Sequence, residues 1–256
     1  MMRFASLGSG SGGNALLVEA GNTLILLDCG FGLAEVTARL ARIGLVPGDI
    51  DAIIVTHEHD DHAGGVARLV RRHELPVYLT YGTLAALGGD RAALPEAVLI
   101  DGHAPFAIGD IEVQPYPVPH DAREPVQFVL ADGAARLGVL TDVGAPTPYV
   151  AQMLSGLEAL VLECNHDRAM LEASAYPATL RERIAGRFGH LENAAAAQLL
   201  GELDCSRLQH VIAGHLSQQN NTPELARAAL AGALGCEAEW IGVATQDEGF
   251  TWRQIL

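Results

Sequence analysis

A chain of 256 residues, 49% hydrophobic and 18% charged, is a folded globular protein rather than a disordered one, with room for one large α/β domain or two small ones. Acidic residues number 31 against 16 basic, a formal net charge of −15, which excludes a general attraction to phosphate backbones; nucleic acid would have to be held by a local patch. No apolar run approaches the length of a membrane span, no signal-peptide pattern opens the chain, and the four cysteines form no C-x-x-C pair, so the expectation is a cytoplasmic protein with reduced thiols and no membrane contact.

In chain order, Arg3 to Leu7, Ala15 to Ala20 and Thr23 to Leu27 read as strands, the first two flanking a Gly/Ser turn. Leu33 to Ile43 has helical spacing and stops at Gly44. Ile50 to Thr56 reads as a buried strand, followed by a polar cluster, a helix through Gly65 to His73, and a strand from Pro76 to Thr80. A second series begins near Ile108, with strands at Ile111 to Pro115, Val126 to Ala131 and Arg136 to Thr141, a helix at Pro148 to Leu154, and a strand at Ala159 to Glu163. Helices follow, including Ala194 to Leu203, then a strand at His210 to Ala213 and a final pair near Glu239 to Gly242 and Gly249 to Trp252. Strands alternate with helices twice over and no linker intervenes, which predicts one α/β domain over 1–256 with two similar halves, sheets inside and helices outside.

The polar cluster His57-Glu58-His59-Asp60-Asp61-His62 packs three imidazoles and three carboxylates into six residues. Capping of the next helix would account for one carboxylate and for none of the histidines. Imidazole nitrogen and carboxylate oxygen suit zinc, manganese or iron, and two ions can share such a cluster. Further ligands follow predicted strands at Pro119-His120-Asp121, Thr141-Asp142-Val143-Gly144 and Gly214-His215-Leu216-Ser217, and strand ends are where loops converge to build sites. Gly8-Ser9-Gly10-Ser11-Gly12-Gly13 formally satisfies G-x-G-x-x-G, but a strand rather than a helix is predicted after it, so no dinucleotide cofactor is expected.

H-x-H-x-D-H, a lone His, T-D-x-G and a late G-H-x-S in this order resemble the metallo-β-lactamase fold superfamily over nearly the whole chain. The resemblance implies a four-layer αββα sandwich holding two divalent ions. One would be held by His57, His59 and His120, the second by Asp61, His62 and His215, with Asp142 bridging. The opening glycine-rich segment, Glu163-Cys164-Asn165-His166-Asp167 and the run from His215 to Pro223 look more like the YycJ-like branch, commonly associated with phosphodiester and notably exonuclease activity. Gly189-His190 before a helix resembles the Gly-His of ribonuclease Z-like enzymes, where that His assists the leaving group. Asp61 and His190 are thus the catalytic candidates, with a purely structural His190 as the alternative; Asn165 and His166 are candidates for substrate contact or an extra ligand. His73, His103 and His210 lack such context and read as surface or structural.

Two ions about 3.5–4 Å apart can bridge and activate a water and clamp both oxygens of a displacement. The reading is therefore a dinuclear hydrolase using a metal-bridged hydroxide on a phosphodiester, with 5′-to-3′ exonuclease action on DNA as its specific form. The alternative is a small-molecule hydrolase of a cyclic phosphodiester, thioester or lactone. No insertion resembles the transfer-RNA arm of ribonuclease Z, and Arg71-Arg72 or the group Arg181, Arg183 and Arg187 are the candidate patches for DNA, if they are not simply solvated helix faces.

Overall fold

Two seven-stranded mixed sheets face each other across an apolar layer, and helices cover their outer faces. The computed structural model describes residues 1–88, 94 and 97–256. The first sheet takes β1 (Met2–Gly8), β2 (Ala15–Ala20), β3 (Thr23–Leu27), β4 (Ala52–Ile54), β5 (Val77–Thr80) and β6 (Ala97–Ile100). The second takes β7 (Phe106–Ile108), β8 (Ile111–Pro117), β9 (Val126–Ala131), β10 (Arg136–Leu140), β11 (Ala159–Glu163), β12 (His210–Gly214) and β13 (Gly242–Val243). The last strand, β14 (Phe250–Ile255), returns to the first sheet and pairs antiparallel with β1.

Alternation along the strands explains the layering. In β3, Ile25 and Leu27 enter the layer between the sheets while Leu24 and Leu26 face outward under the helices. In β11, Ala159 and Val161 point inward, and Leu160 and Leu162 outward. Strands covered on both faces must be apolar throughout, which is why these runs read as continuous rather than alternating. The first sheet is covered by α1 (Leu33–Arg42), α2 (Asp60–Ala63), α3 (Val66–His73) and α4 (Tyr81–Ala86). The second half carries α5 (Pro148–Leu154), α6 (Arg168–Ala173), α7 (Ala178–Ile184), α8 (Asn193–Glu202) and α9 (Pro223–Leu234).

The halves match strand for strand. From β14 to β6 the first sheet has three antiparallel pairings followed by three parallel ones, and from β7 to β13 the second sheet repeats the series. Hence β3 corresponds to β10, β4 to β11 and β5 to β12.

Several expectations need correction. The helix expected from Gly65 begins one residue later, and the ligand cluster runs into α2, which Gly64 and Gly65 separate from α3. A Cβ at Gly65 would sit 1.9 Å from the Phe31 carbonyl oxygen, so this close crossing of chains requires glycine. The strand expected near Glu239 is a 3-10 turn at Ala238–Trp240, with pairing confined to Gly242–Val243. Strands β6 and β7 and helix α4 were not anticipated.

Candidate metal centre

Three residues at strand ends adopt left-handed backbone: Asp28 (φ 60) after β3, Asp142 (φ 54) after β10 and His215 (φ 53) after β12. Such conformations cost a non-glycine residue on the order of 1–2 kcal/mol and concentrate at functional sites. Here the bend is shared by the two halves, because Asp28-Cys29-Gly30 and Asp142-Val143-Gly144 follow corresponding strands. Both glycines lie against crossing backbone: a Cβ on Gly30 would meet the Asp61 oxygen at 2.0 Å, and one on Gly144 the Arg187 oxygen at 2.3 Å.

The turns gather the sequence-predicted ligands into two adjoining groups. Ligand atoms of His57, His59 and His120 lie within 4.8 Å of one another, as do those of Asp61, His62, Asp142 and His215. A third group shares Asp142 and His215 with Glu163 and His190.

Hydrogen bonds at the back of each ring decide which nitrogen faces the centre. His62 Nδ1 lies 2.8 Å from Asp28 Oδ2, a carboxylate that only accepts, so Nδ1 keeps its proton and Nε2 is the nitrogen left for a metal. The Thr56 hydroxyl donates to the same oxygen at 2.8 Å, so it accepts from His57 Nδ1 at 2.9 Å and leaves His57 Nε2 as a lone pair. His120 Nδ1 donates to the Gly189 carbonyl at 3.1 Å with the same consequence. His215 Nδ1 stands 3.4 Å from Glu163 Oε1. Thus His57 Nε2 and His120 Nε2 both aim lone pairs at His59 Nδ1, 3.1 and 3.3 Å away. A single proton on His59 cannot satisfy both; a cation accepting all three does. Asp142 agrees: its buried Oδ2 lies 2.9 Å from His62 Nε2, a carboxylate oxygen and a ring nitrogen brought together where a cation would be shared. The donor set fits a divalent cation.

The electrostatics point the same way. Burial, reinforced by His62, pushes the His57 ring well below the usual histidine range, keeping it in the neutral form that ligates. Burial opposes ionisation of Asp142, but His215 and His62 outweigh it and hold the carboxyl well below its ordinary value. Against burial, Asp142 and Asp28 raise His62, and Asp142 with Asp61 raises His215 to about 10. These carboxylates compensate positive charge whether a proton or a metal carries it, and metal binding would release the protons.

Sequence reasoning gave Asp28, Thr56, Glu163 and Asn14 no part in the metal centre. Asp28 and Glu163 are buried acids with no charged neighbour in sequence to betray them, although the repeated D-x-G after β3 and β10 was a usable signal. Asn14 closes the glycine-rich loop, donating through Nδ2 to the Asp61 carbonyl at 3.2 Å, while Ser9 accepts from the His215 amide at 2.8 Å. The strand β2 does follow that loop, so the glycines brace the ligands rather than open a helix.

His190 sits beside both groups. Its Nδ1 is 2.8 Å from Glu163 Oε1, whose partner oxygen accepts from the Val143 amide at 2.8 Å. Burial opposes a charged ring here, yet Glu163 raises the His190 pKa above its ordinary value. Asn165 supports His215, donating to its carbonyl at 3.0 Å. His166 belongs to none of the three ligand groups and lines a neighbouring cavity. His210 binds the Gln254 carbonyl at 2.9 Å and packs edge-on against Phe4, and His103 is exposed. Arg183 reaches the cleft in front of the metal groups, where it pairs with Asp121 at 2.6 Å, whereas Arg71 and Arg72 are exposed on α3.

Residues 23–215 match the model of the beta-lactamase superfamily domain. The chain belongs to that superfamily. It is 33% identical to exodeoxyribonuclease YycJ of Bacillus anthracis, over 91% of this chain and 89% of that one. It is 29% identical to exodeoxyribonuclease WalJ of Streptococcus pneumoniae, over 94% and 91% respectively. Among solved structures, the metallo-beta-lactamase fold protein YhfI of Bacillus subtilis superposes with a TM-score of 0.76 at 17% identity, covering 99% of this chain and 100% of its own. The superfamily member is accordingly an αββα protein with its candidate metal centre at the strand ends. Among the described residues no helix is long and apolar enough to cross a membrane.

Proposed function

We propose that this chain is a dinuclear metal-dependent phosphodiesterase of the nuclease kind, acting on DNA as a 5′-to-3′ exonuclease through a single domain over 1–256. The observation that carries the metal part is the wiring of the rings: Asp28, Thr56, Gly189 and Glu163 each face an outer nitrogen, so that the inner nitrogens converge as the ones a metal would take. His57, His59 and His120 would hold one ion and Asp61, His62 and His215 a second, with Asp142 shared between them. Nitrogen and oxygen donors of this kind accept zinc, manganese or iron. When bound, such ions acidify water and neutralise charge that builds on a phosphoryl group.

The chain's own residues supply the proton transfers. Asp61 lines the cleft and would be the carboxylate that takes a proton from the attacking water. His190, with Nδ1 committed to Glu163, presents Nε2 to the leaving oxygen as its proton donor. The exodeoxyribonuclease names of the two relatives support DNA as the substrate. The net charge of −15 favours a second reading, hydrolysis of a small cyclic phosphodiester, thioester or lactone. Four free thiols suit a cytoplasmic location.

The test is a panel of DNA, cyclic dinucleotide, thioester and lactone substrates under defined zinc, manganese and iron. With it goes His190→Ala, which should keep its metal and lose about 10²–10⁴-fold on an alkyl phosphodiester, but little on bis-p-nitrophenyl phosphate, whose phenolate leaves unprotonated. Equal losses on both substrates would make His190 structural; loss of metal would make it a ligand.

A further inference from the structure

Two cavities flank α7. The metal cleft, about 390 Å³, receives Leu180, Arg183 and Ile184 from this helix; the other cavity, about 550 Å³, receives Arg181 and Glu182 from it and Ala185 from its C-cap. No residue of α7 is fully buried, so the helix stands as a partition rather than as part of the core. It is held by polar contacts on both flanks. Arg183 pairs with Asp121 at 2.6 Å, Arg181 donates to the Glu172 carbonyl at 2.9 Å, and the His190 amide donates to the Ile184 carbonyl at 2.8 Å.

Among the described residues, only His190 lines both cavities. If it hands a proton to the leaving oxygen, as proposed above, that oxygen stands at the junction. The phosphoryl group then faces the metal groups in one cavity, and the departing group extends into the other.

The second cavity suits one kind of departing group. Its volume falls within the range of about 300–1,000 Å³ for small-ligand pockets, enough for a nucleoside. Leu171, Ala185 and Ala195 give it apolar wall. Asn165 has its amide oriented by the bond to the His215 carbonyl, so its oxygen faces His166 Nδ1 at 3.3 Å and accepts from it. His166 Nε2 is left as an acceptor. The two arginines of the wall are already engaged: Arg168 makes two 2.8 Å bonds to the Glu192 carboxylate, and Arg181 is tied to the Glu172 carbonyl. With Glu192 neutralised by Arg168, Glu172 and Glu182 face the single charge of Arg181, and the wall stays net acidic. A wall of acceptors and acids welcomes hydroxyl and amino hydrogens and repels a phosphate.

We propose that this second cavity is the leaving-group pocket, that it seats the nucleoside released from the phosphodiester, and that it takes a chain end bearing a free hydroxyl in preference to a terminal phosphate. The inference rests on the phosphodiesterase reading. In the step it serves, the oxygen of water joins phosphorus and its proton passes to Asp61. The P–O bond to the nucleoside breaks with its electron pair on oxygen, and that oxygen takes the proton of His190. Proton return through solvent restores both groups.

The test compares dithymidine monophosphate, its 5′- and 3′-phosphorylated forms, and thymidine 5′-(p-nitrophenyl phosphate), whose small aryl leaving group does not fill the pocket. For wild type, a phosphate on the released nucleoside should lower kcat/KM at least tenfold, and a phosphate on the retained nucleoside should not. Ala185→Trp, at an exposed position lining the cavity, should lower the kcat/KM ratio of dinucleotide to aryl ester at least tenfold. An unchanged ratio, or equal or faster cleavage of the phosphorylated end, would overturn the pocket while leaving the phosphodiesterase reading intact. Hydrolysis of none of these diesters under zinc, manganese or iron would overturn both.

Discussion

Asp28→Asn isolates the wiring from the ligands, since Asp28 is not itself in a ligand group. Its Oδ1 accepts the Thr56 amide at 2.8 Å, and its Oδ2 accepts both the Thr56 hydroxyl and His62 Nδ1 at 2.8 Å. Asparagine keeps the shape, keeps one acceptor and tolerates the left-handed backbone about as well as aspartate. What changes is the oxygen facing His62, which becomes an NH₂ donor. The Thr56 hydroxyl must turn away, and the His62 proton is driven from Nδ1 to Nε2, the nitrogen that would bind metal. Replacing such an outer partner typically costs 10–100-fold in metal affinity, or about 1.4–2.8 kcal/mol. The loss should be largest for the ion held by His62 and smaller for that held by His57, which is reached only through Thr56. Titration with a competing chelator near neutral pH measures both affinities, and circular dichroism confirms that the fold survives. Unchanged affinity for both equivalents would refute the claim that Asp28 sets the His62 tautomer.

Asp142→Ala should lower occupancy of both metal positions and nearly abolish turnover with the fold retained; two full equivalents by elemental analysis would dismiss the bridging role. Cys29 and Cys164 are fully buried, and burial pushes the Cys29 thiol up to about 12 and Cys164 higher still, whereas Cys205 and Cys236 are half-buried. Native alkylation followed by mass spectrometry should therefore label Cys205 and Cys236 first, and early labelling of Cys29 or Cys164 would contradict the packing. In the β9–β10 hairpin, Asp132 Oδ1 accepts the amides of Ala134 at 3.0 Å and Ala135 at 2.9 Å, which hold its carboxyl below the ordinary value of 3.8 against the effect of burial. A depressed folded pKa stabilises above the unfolded value and is lost as pH falls through the folded one. Asp132→Ala should thus cost about 1 kcal/mol near neutral pH and progressively less below pH 3.8. A penalty independent of pH in urea unfolding would show that the charge plays no part.

What could be read from the sequence was local. Strands β1, β2, β3, β9 and β11 declare themselves by apolar runs between turn residues, because strands covered on both faces tolerate little else. The segment from His57 to His62 announces metal chemistry because six such side chains have no cheaper reason to crowd together, and His120, Asp142 and His215 stand out by directly following apolar strands. What stayed hidden depends on partners distant in the chain. Strand β14 joins the first sheet by pairing Ile255 with Met2, a register no local pattern encodes. Strand β6 lies at a sheet edge, where Val98 and Leu99 remain exposed and the apolar signal fades. Asp28 and Glu163 look like ordinary strand-end acids until folding brings His62, His190 and His215 against them. Ligand identity is a property of residue type, which sequence carries directly. The tautomer of each ring, the proton on His190 and the partition made by α7 arise only from which groups face one another, and the tertiary fold alone decides that.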